Sequence, residues 1–409
     1  MARLRLFLFF TLVCLVAFGC GGSGGGSATT GTTGIGGQGK WTVLVYMNAA
    51  NNLYRDSDLN VIQMQKAAGN PLVRIVAQWK QTQALYPQSS FDGTRRYLVK
   101  PSVANTVVSQ KLQDLGAGID MGDPQTLSDF ITWGKASFPA DHYLLILWDH
   151  GNGWRMKMKQ APLGRAFSYD DQSQHAIQIW NLQTALGTQQ FDTIVWDCSL
   201  MQMAEVDYQI RANTRWSVSS EESPPEQGYP YDVALAKYRD LPDDTALDLA
   251  KSWVDSMLAD PLYTTRNIEE SVVDTTQLTA VSNAVDGLAG QLIANNQALS
   301  TLTQNTRANG QSYDETVSPP RYFFDLTDIA TRYKGGTANA TVDQACTTAI
   351  NAVAAAVAYE KHNTHSPGSH GLSIDFTPGA TFNANGLGQY LLLDFGKANR
   401  WAQWLTIAP

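Results

Sequence analysis

Tyr143-Leu-Leu-Ile-Leu-Trp148-Asp149-His150-Gly151 and Thr193-Ile-Val-Trp196-Asp197-Cys198-Ser199 decide the reading of this chain. Each is a short apolar run that stops abruptly on a chemically capable side chain. Runs of this length, bounded by turn residues and rich in branched and aromatic side chains, read as buried strands. One ends on an imidazole, the other on a thiol beside a hydroxyl. If the two strands are parallel neighbours, their carboxyl ends bring a base and a nucleophile together, where open α/β sheets keep their sites.

Further runs follow the same pattern: Trp41-Thr-Val-Leu-Val-Tyr46, Val73-Arg-Ile-Val-Ala77 and Gly371-Leu-Ser-Ile-Asp-Phe376. Between them lie helical stretches at Leu53 to Ala68, Asp123 to Ser137 and the segment carrying Met203, Val206 and Ile210. Pro124 directly after Asp123 is a helix-start signal. The last third is more helical, with Thr276 to Leu302 and Thr341 to Lys361, the latter placing Cys346 on an apolar stripe. Alternating strands and helices predict a mainly parallel sheet with helices on both faces.

The first twenty residues form a separate unit. Arg3 and Arg5 precede an apolar stretch, Leu6 to Phe18, too short for a mature membrane span, and this is read as an export signal. Ala17-Phe18-Gly19-Cys20 resembles a bacterial lipoprotein cleavage site, with Cys20 lipidated. Residues 21–40 then form a Gly/Ser/Thr-rich tether reaching on the order of 25 Å. Residues 41–409 are expected to hold the folded domain with its helical C-terminal elaboration. The expected location is the bacterial cell envelope, with the lipid as the membrane partner.

A formal net charge of −8 gives no basic stripe for nucleic acid. Gly34-Ile-Gly-Gly-Gln-Gly39-Lys40 is no phosphate loop, because it precedes a strand and lacks Ser or Thr after the lysine. His362, His365 and His370 have neither a Cys partner nor a zinc-binding helix and read as loop histidines. Cys198 and Cys346 are the thiols left once Cys14 and Cys20 are set aside, so a disulfide between them is open to an exported chain. Burial of Cys346 in the core is the simpler outcome.

His150 precedes Cys198 by about fifty residues, the separation of base and nucleophile in caspase-like proteases. The ordered wording is more specific. It comprises Trp41-Thr-Val-Leu-Val-Tyr-Met47-Asn-Ala-Ala-Asn51-Asn52-Leu53, Met121-Gly-Asp-Pro124, Leu145-Ile-Leu-Trp-Asp-His150-Gly-Asn-Gly-Trp154, Asp197-Cys-Ser-Leu-Met201-Gln-Met-Ala-Glu205, Ser220-Glu-Glu222, Gly228-Tyr-Pro-Tyr231 and His370-Gly-Leu-Ser373. Together these segments resemble the clostripain-related cysteine peptidases. The resemblance implies a caspase-like three-layer α/β/α sandwich and cleavage of peptides after Arg or Lys by a His and Cys pair. On this sequence it implies His150 as general base, Gly151 as an oxyanion donor, Asp197 at the floor of a pocket for a basic side chain, and Glu221 and Glu222 beside it. A Ca²⁺ requirement is implied by the resemblance alone, since the sequence has no recognisable calcium loop.

The chain departs from the family wording at the nucleophile. Asp-Ala-Cys-Leu-Met is usual, whereas Asp197-Cys198-Ser199-Leu200-Met201 stands here, so Ser199 takes the nucleophile position and the thiol lies one residue early. One residue along a strand reverses the side chain's direction. Three readings follow: a peptidase in which a local bend brings Cys198 round, one using Ser199, or an impaired relative that binds peptides at the cell surface. The basic stretch Arg155, Lys157, Lys159 and Arg165 reads as a solvated loop, with self-cleavage as the alternative that the resemblance suggests.

Overall fold

A computed structural model describes residues 37–155, 167–313 and 322–409. The export segment, Cys20, most of the tether, and Lys157, Lys159 and Arg165 lie outside the described residues. In chain order the strands are β1 (Gly39–Ala49), β2 (Val73–Gln81), β3 (Gly93–Leu98), β4 (Gln110–Gly116), β5 (Ala140–Trp148), β6 (Phe167–Asp170) and β7 (His175–Ile177). They continue with β8 (Phe191–Asp197), β9 (Thr214–Ser219), β10 (Glu269–Asp274), β11 (Ser312–Tyr313), β12 (Phe323–Asp325), β13 (Val357–His362) and β14 (Ser373–Asp375).

Nine of these form one sheet in the order β13-β10-β9-β8-β5-β1-β2-β3-β4. Its centre, β9-β8-β5-β1-β2, is parallel throughout. Antiparallel strands extend it at both edges. The expected sandwich is therefore present, with a parallel middle and antiparallel flanks.

Side-chain alternation divides the core into two layers. On β5, Leu145 and Leu147 face one layer while Leu144, Ile146 and Trp148 face the other. On β8, Ile194 and Trp196 join the first layer and Val195 the second. Helices Pro124–Ser137, Ala204–Ile210 and Leu278–Ala294 cover the first face; Tyr54–Ala67, Tyr231–Asp240 and Ala246–Ala259 cover the second. Asp123 accepts the Gln125 amide at 2.8 Å ahead of Pro124, so that helix starts where its residues dictate.

Three expected elements differ. Gly371 to Phe376 yields only β14, which joins β12 and β11 in a small separate sheet instead of the main one. The predicted helix Thr341 to Lys361 ends at Ala356, and its remainder becomes β13, because β10 supplies an open edge for Val357 and Tyr359 to pair with. Thr276 to Leu302 breaks near Asn295, whose side-chain amide donates to the Gln291 carbonyl at the helix end. Cys346 and Cys198 are both buried and both free, so no disulfide joins them.

Candidate active site

β5 and β8 are adjacent and parallel, pairing Trp148 with Asp197. Their carboxyl ends therefore carry His150 and the Cys198-Ser199 pair side by side, as the two opening segments require. A narrow pocket of about 50 Å³ lies here, with His150, Asp197, Cys198 and Ser199 in its walls.

The His150 ring is partly exposed. Its Nε2 meets the Asn52 side-chain oxygen at 2.8 Å, and the ring stands edge-on to Tyr169 with centroids 5.9 Å apart. An amide oxygen accepts only, so Nε2 is the donor in this contact. Asp149 does not serve the ring. Its carboxylate accepts from the Asn51 amide at 2.7 Å, from the His150 main-chain N–H at 2.6 Å and from the Tyr169 N–H. Burial holds its pKa well above the ordinary carboxylate range.

Gly151 lies face to face with the Cys198-Ser199 peptide. A Cβ here would meet the Ser199 main-chain oxygen at 2.2 Å and its nitrogen at 2.7 Å, so only glycine permits the approach. Immediately after, the chain reverses at Leu200, a non-glycine residue with φ of 65°. That conformation costs about 1–2 kcal/mol. It is held by complete burial of Leu200 and by donation from its N–H to the Glu222 carbonyl at 3.0 Å.

Cys198 continues the alternation of Ile194 and Trp196 and belongs to the same hydrophobic layer. The residue is 2% exposed, and its thiol donates to the Leu147 carbonyl at 3.2 Å. Burial, with the charges of Asp149 and Asp197 adding to it, pushes the thiol pKa well above its usual value. Ser199, one residue on, is partly exposed on the pocket wall.

Asp197 lies in the pocket wall. The Tyr231 hydroxyl donates to it at 2.7 Å, and Gly228 approaches so closely that a Cβ would meet its oxygens at 2.6 and 2.7 Å. Burial raises its pKa to about 7, against the lowering effect of Tyr231 and the Tyr229 N–H.

Glu221 and Glu222 require correction, because neither lines this pocket. Glu221 is 1% exposed and accepts the Gly371 N–H at 3.1 Å, which draws it beneath the surface. Glu222 faces a neighbouring cleft, and its carboxylate accepts the Ser223 N–H at 2.8 Å. The glutamate that does line the pocket, with Asp149 and Asp197, is Glu226, beyond the Pro224-Pro225 wall. Its charge raises the pKa of nearby Asp56, after the larger effect of burial. Asp56 and Glu226 carry no motif of their own, and Asn52 stands in the quoted Asn51-Asn52-Leu53 wording with no role attached to it. Only the position of Asn52 and Asp56 just after a strand end hinted at them.

Arg155 also departs from the solvated-loop reading. Its guanidinium pairs with the fully buried Asp375 at 2.7 Å. Among the described residues no group of three or more His, Cys, Asp or Glu is arranged to hold a metal ion. His370 pairs with Asp325 and His362 with Glu360. No helix of the described residues is long and apolar enough to cross a membrane.

The histidine strand, the Asp-Cys-Ser strand and the glycine between them are matched by a family model spanning residues 45–391, that of the clostripain family. The chain belongs to the clostripain family of cysteine proteases. Clostripain from Hathewaya histolytica is 29% identical over 192 residues, which are 42% of this chain and 36% of that protein. The match thus spans about a third of the curated relative's length. An inactive zymogen C11 protease from Parabacteroides distasonis superposes with a TM-score of 0.65 at 19% identity, covering 88% of this chain and 98% of the other. A secreted C11 cysteine protease from Bacteroides thetaiotaomicron, solved with an irreversible peptide inhibitor, gives 0.65 and 19%, covering 90% and 100%. At such identities these two clostripain-family structures speak for the fold.

Proposed function

We propose that this clostripain-family protein recognises peptides through a basic side chain seated over Asp197, and that in its folded form it does not cleave them through Cys198. The observation that carries this reading is the Cys198 thiol, which is buried and donates to Leu147 although its residue belongs to the pocket wall, while Ser199 beside it is the more exposed of the two. A nucleophilic cysteine acts as the thiolate, and burial opposes ionisation here. The Ser199 hydroxyl is a weaker nucleophile than a thiolate, and the neighbouring Asp149 is committed elsewhere. For the basic side chain, a desolvated carboxylate with acids at the rim suits a guanidinium or ammonium group.

A second reading is the Arg- or Lys-directed endopeptidase with a His150 and Cys198 dyad. It is favoured by the strained turn at Leu200, which stores a local reason to re-register. A one-residue shift would turn Cys198 to the pocket and let its thiol, activated by His150, attack the peptide carbonyl with Gly151 beside the oxyanion. Export through the leader and anchoring at Cys20 complete the proposal, placing the domain at the cell envelope on its tether.

Fluorogenic Arg and Lys peptides test both. The purified protein and its Cys198→Ala, Ser199→Ala and His150→Ala variants are assayed for cleavage with and without thiol reductant and Ca²⁺, and for binding by fluorescence anisotropy. Binding without cleavage supports the first reading. Cleavage lost in Cys198→Ala and kept in Ser199→Ala would overturn it in favour of the second.

A further inference from the structure

The Asp197 pocket shares the wall Pro224-Pro225-Glu226 with a larger cleft of about 720 Å³. Two consecutive prolines fix their own φ and offer no N–H, so this wall is a stiff partition between two spaces and not a strand-pairing edge. The far side of the cleft is the segment Thr265 to Asn267, and it brings a charge of the opposite sign.

Arg266 is exposed on that side and, among the described residues, its guanidinium makes no ion pair or side-chain hydrogen bond. The acids opposite are differently placed. Glu222 is folded back on the Ser223 N–H, and Glu226 lies on the shared wall, where its charge acts on Asp56 at the neighbouring pocket. Acids surround the small pocket, with Asp197, Asp56 and Glu226, whereas the large cleft sets Arg266, the one cation among its described lining residues, opposite Glu222 and Glu226. One extended peptide would meet both spaces.

We infer that the cleft is a second subsite of the same peptide site and takes an acidic side chain near the basic residue, with Arg266 as its specificity-determining residue. This rests on the reading that Asp197 receives the basic side chain. The preferred ligand is then a peptide in which Arg or Lys has Asp or Glu within two positions, and the charge pattern disfavours runs of basic residues.

The experiment uses fluorescent peptides with a central Arg or Gln, and Glu, Gln or Lys at each of the two positions on either side. Dissociation constants are measured at low ionic strength for the full chain and for its Arg266→Gln, Arg266→Glu and Asp197→Asn variants. An exposed ion pair supports a preference of about three- to five-fold for Glu over Gln at one flanking position. Arg266→Gln should abolish that preference, and Arg266→Glu should reverse it toward Lys, both while keeping the requirement for central Arg. An unchanged Glu-to-Lys ratio in Arg266→Glu, with central Arg still required, would overturn the inference and leave the Asp197 reading standing. A Glu preference that follows Arg266 without any dependence on central Arg would sustain the acidic subsite and overturn the Asp197 reading instead. No binding of any peptide would overturn both.

Discussion

The thiol of Cys198 donates to the main-chain oxygen of Leu147 at 3.2 Å, and its residue belongs to the hydrophobic layer that holds Ile194 and Trp196. Strand alternation extends one residue past the end of β8 and decides which of the two residues is the more deeply buried. The same alternation leaves Ser199 partly exposed in the pocket wall that also holds His150 and Cys198.

Burial makes the thiol unreactive. Iodoacetamide at pH 8 should leave Cys198 of the native protein unmodified over a time that fully alkylates it in guanidinium, because both access and thiolate are withheld. Peptide mapping by mass spectrometry reads the adduct at each cysteine. Rapid native labelling of Cys198 would show that the thiol reaches the surface.

Moving the sulfur by one residue should restore chemistry. In the Cys198→Ala/Ser199→Cys double variant the thiol takes the pocket-facing position beside His150. General-base assistance of a positioned nucleophile is worth on the order of 10²-fold or more. Initial rates on Arg and Lys substrates should rise by that order over the unmodified chain, while Cys198→Ala alone stays inert. Equal rates for the double variant and Cys198→Ala would mean that His150 is not placed to activate residue 199.

The contrast between fold and site has a physical origin. The parallel centre was legible because buried strands such as Leu144 to Trp148 are written as continuous apolar runs, and the helix after Asp123 because its cap and Pro124 are local signals. β13 was not, since Val357 to His362 continues a helical pattern and only the open edge of β10 makes it a strand. At the pocket, His150 and Gly151 could be read from the end of the β5 run, and Asp197 through the clostripain resemblance. Asp56 and Glu226 could not, because they come together only where the segments after β1 and β9 meet. Glu221 was misplaced for the same reason: the N–H of Gly371, distant in sequence, draws it inward.

Gly151 tolerates no side chain. In Gly151→Ala the Cβ would strike both main-chain atoms of Ser199, so the Cys198-Ser199 peptide must shift. Overpacking of this kind costs about 1–3 kcal/mol. The variant should unfold at lower denaturant concentration and bind Arg peptides at least several-fold more weakly. Wild-type affinity in this variant would argue that the close approach is unimportant to recognition.

Stability should fall at alkaline pH. Burial raises the pKa of Asp197 and Asp207 to about 7 and of Glu205 and Glu269 to about 8. A carboxyl whose folded pKa exceeds its unfolded value binds its proton more tightly when folded, so its contribution is full below about pH 4 and is lost as pH rises through 7 to 8. Asp255 and Asp286, lowered by Lys361 and Arg400, act in the opposite sense and weaken the fold as pH falls through the ordinary carboxylate range. Urea midpoints should therefore peak between about pH 4.5 and 6 and decline toward pH 8.5. A midpoint that rises monotonically to pH 8.5 would contradict these assignments.

Recognition of the basic side chain should show the opposite slope. A guanidinium pairs with the ionised form of Asp197, and the empty pocket holds that group near pH 7 because burial disfavours its charge. Above about pH 8 the carboxylate is already ionised and affinity should be flat. Below about pH 6 each further unit removes roughly nine-tenths of the ionised form, so the dissociation constant for an Arg peptide should rise about tenfold per unit. Bound peptide lowers the pKa of the complex, which keeps the bend in the profile at the empty pocket's value of about 7 while the complex releases a proton on forming. Asp197→Asn should bind weakly and without this bend. Anisotropy titrations from pH 5 to 9 on both proteins measure it, and a wild-type profile as flat as that of Asp197→Asn would remove Asp197 from the recognition of the basic side chain.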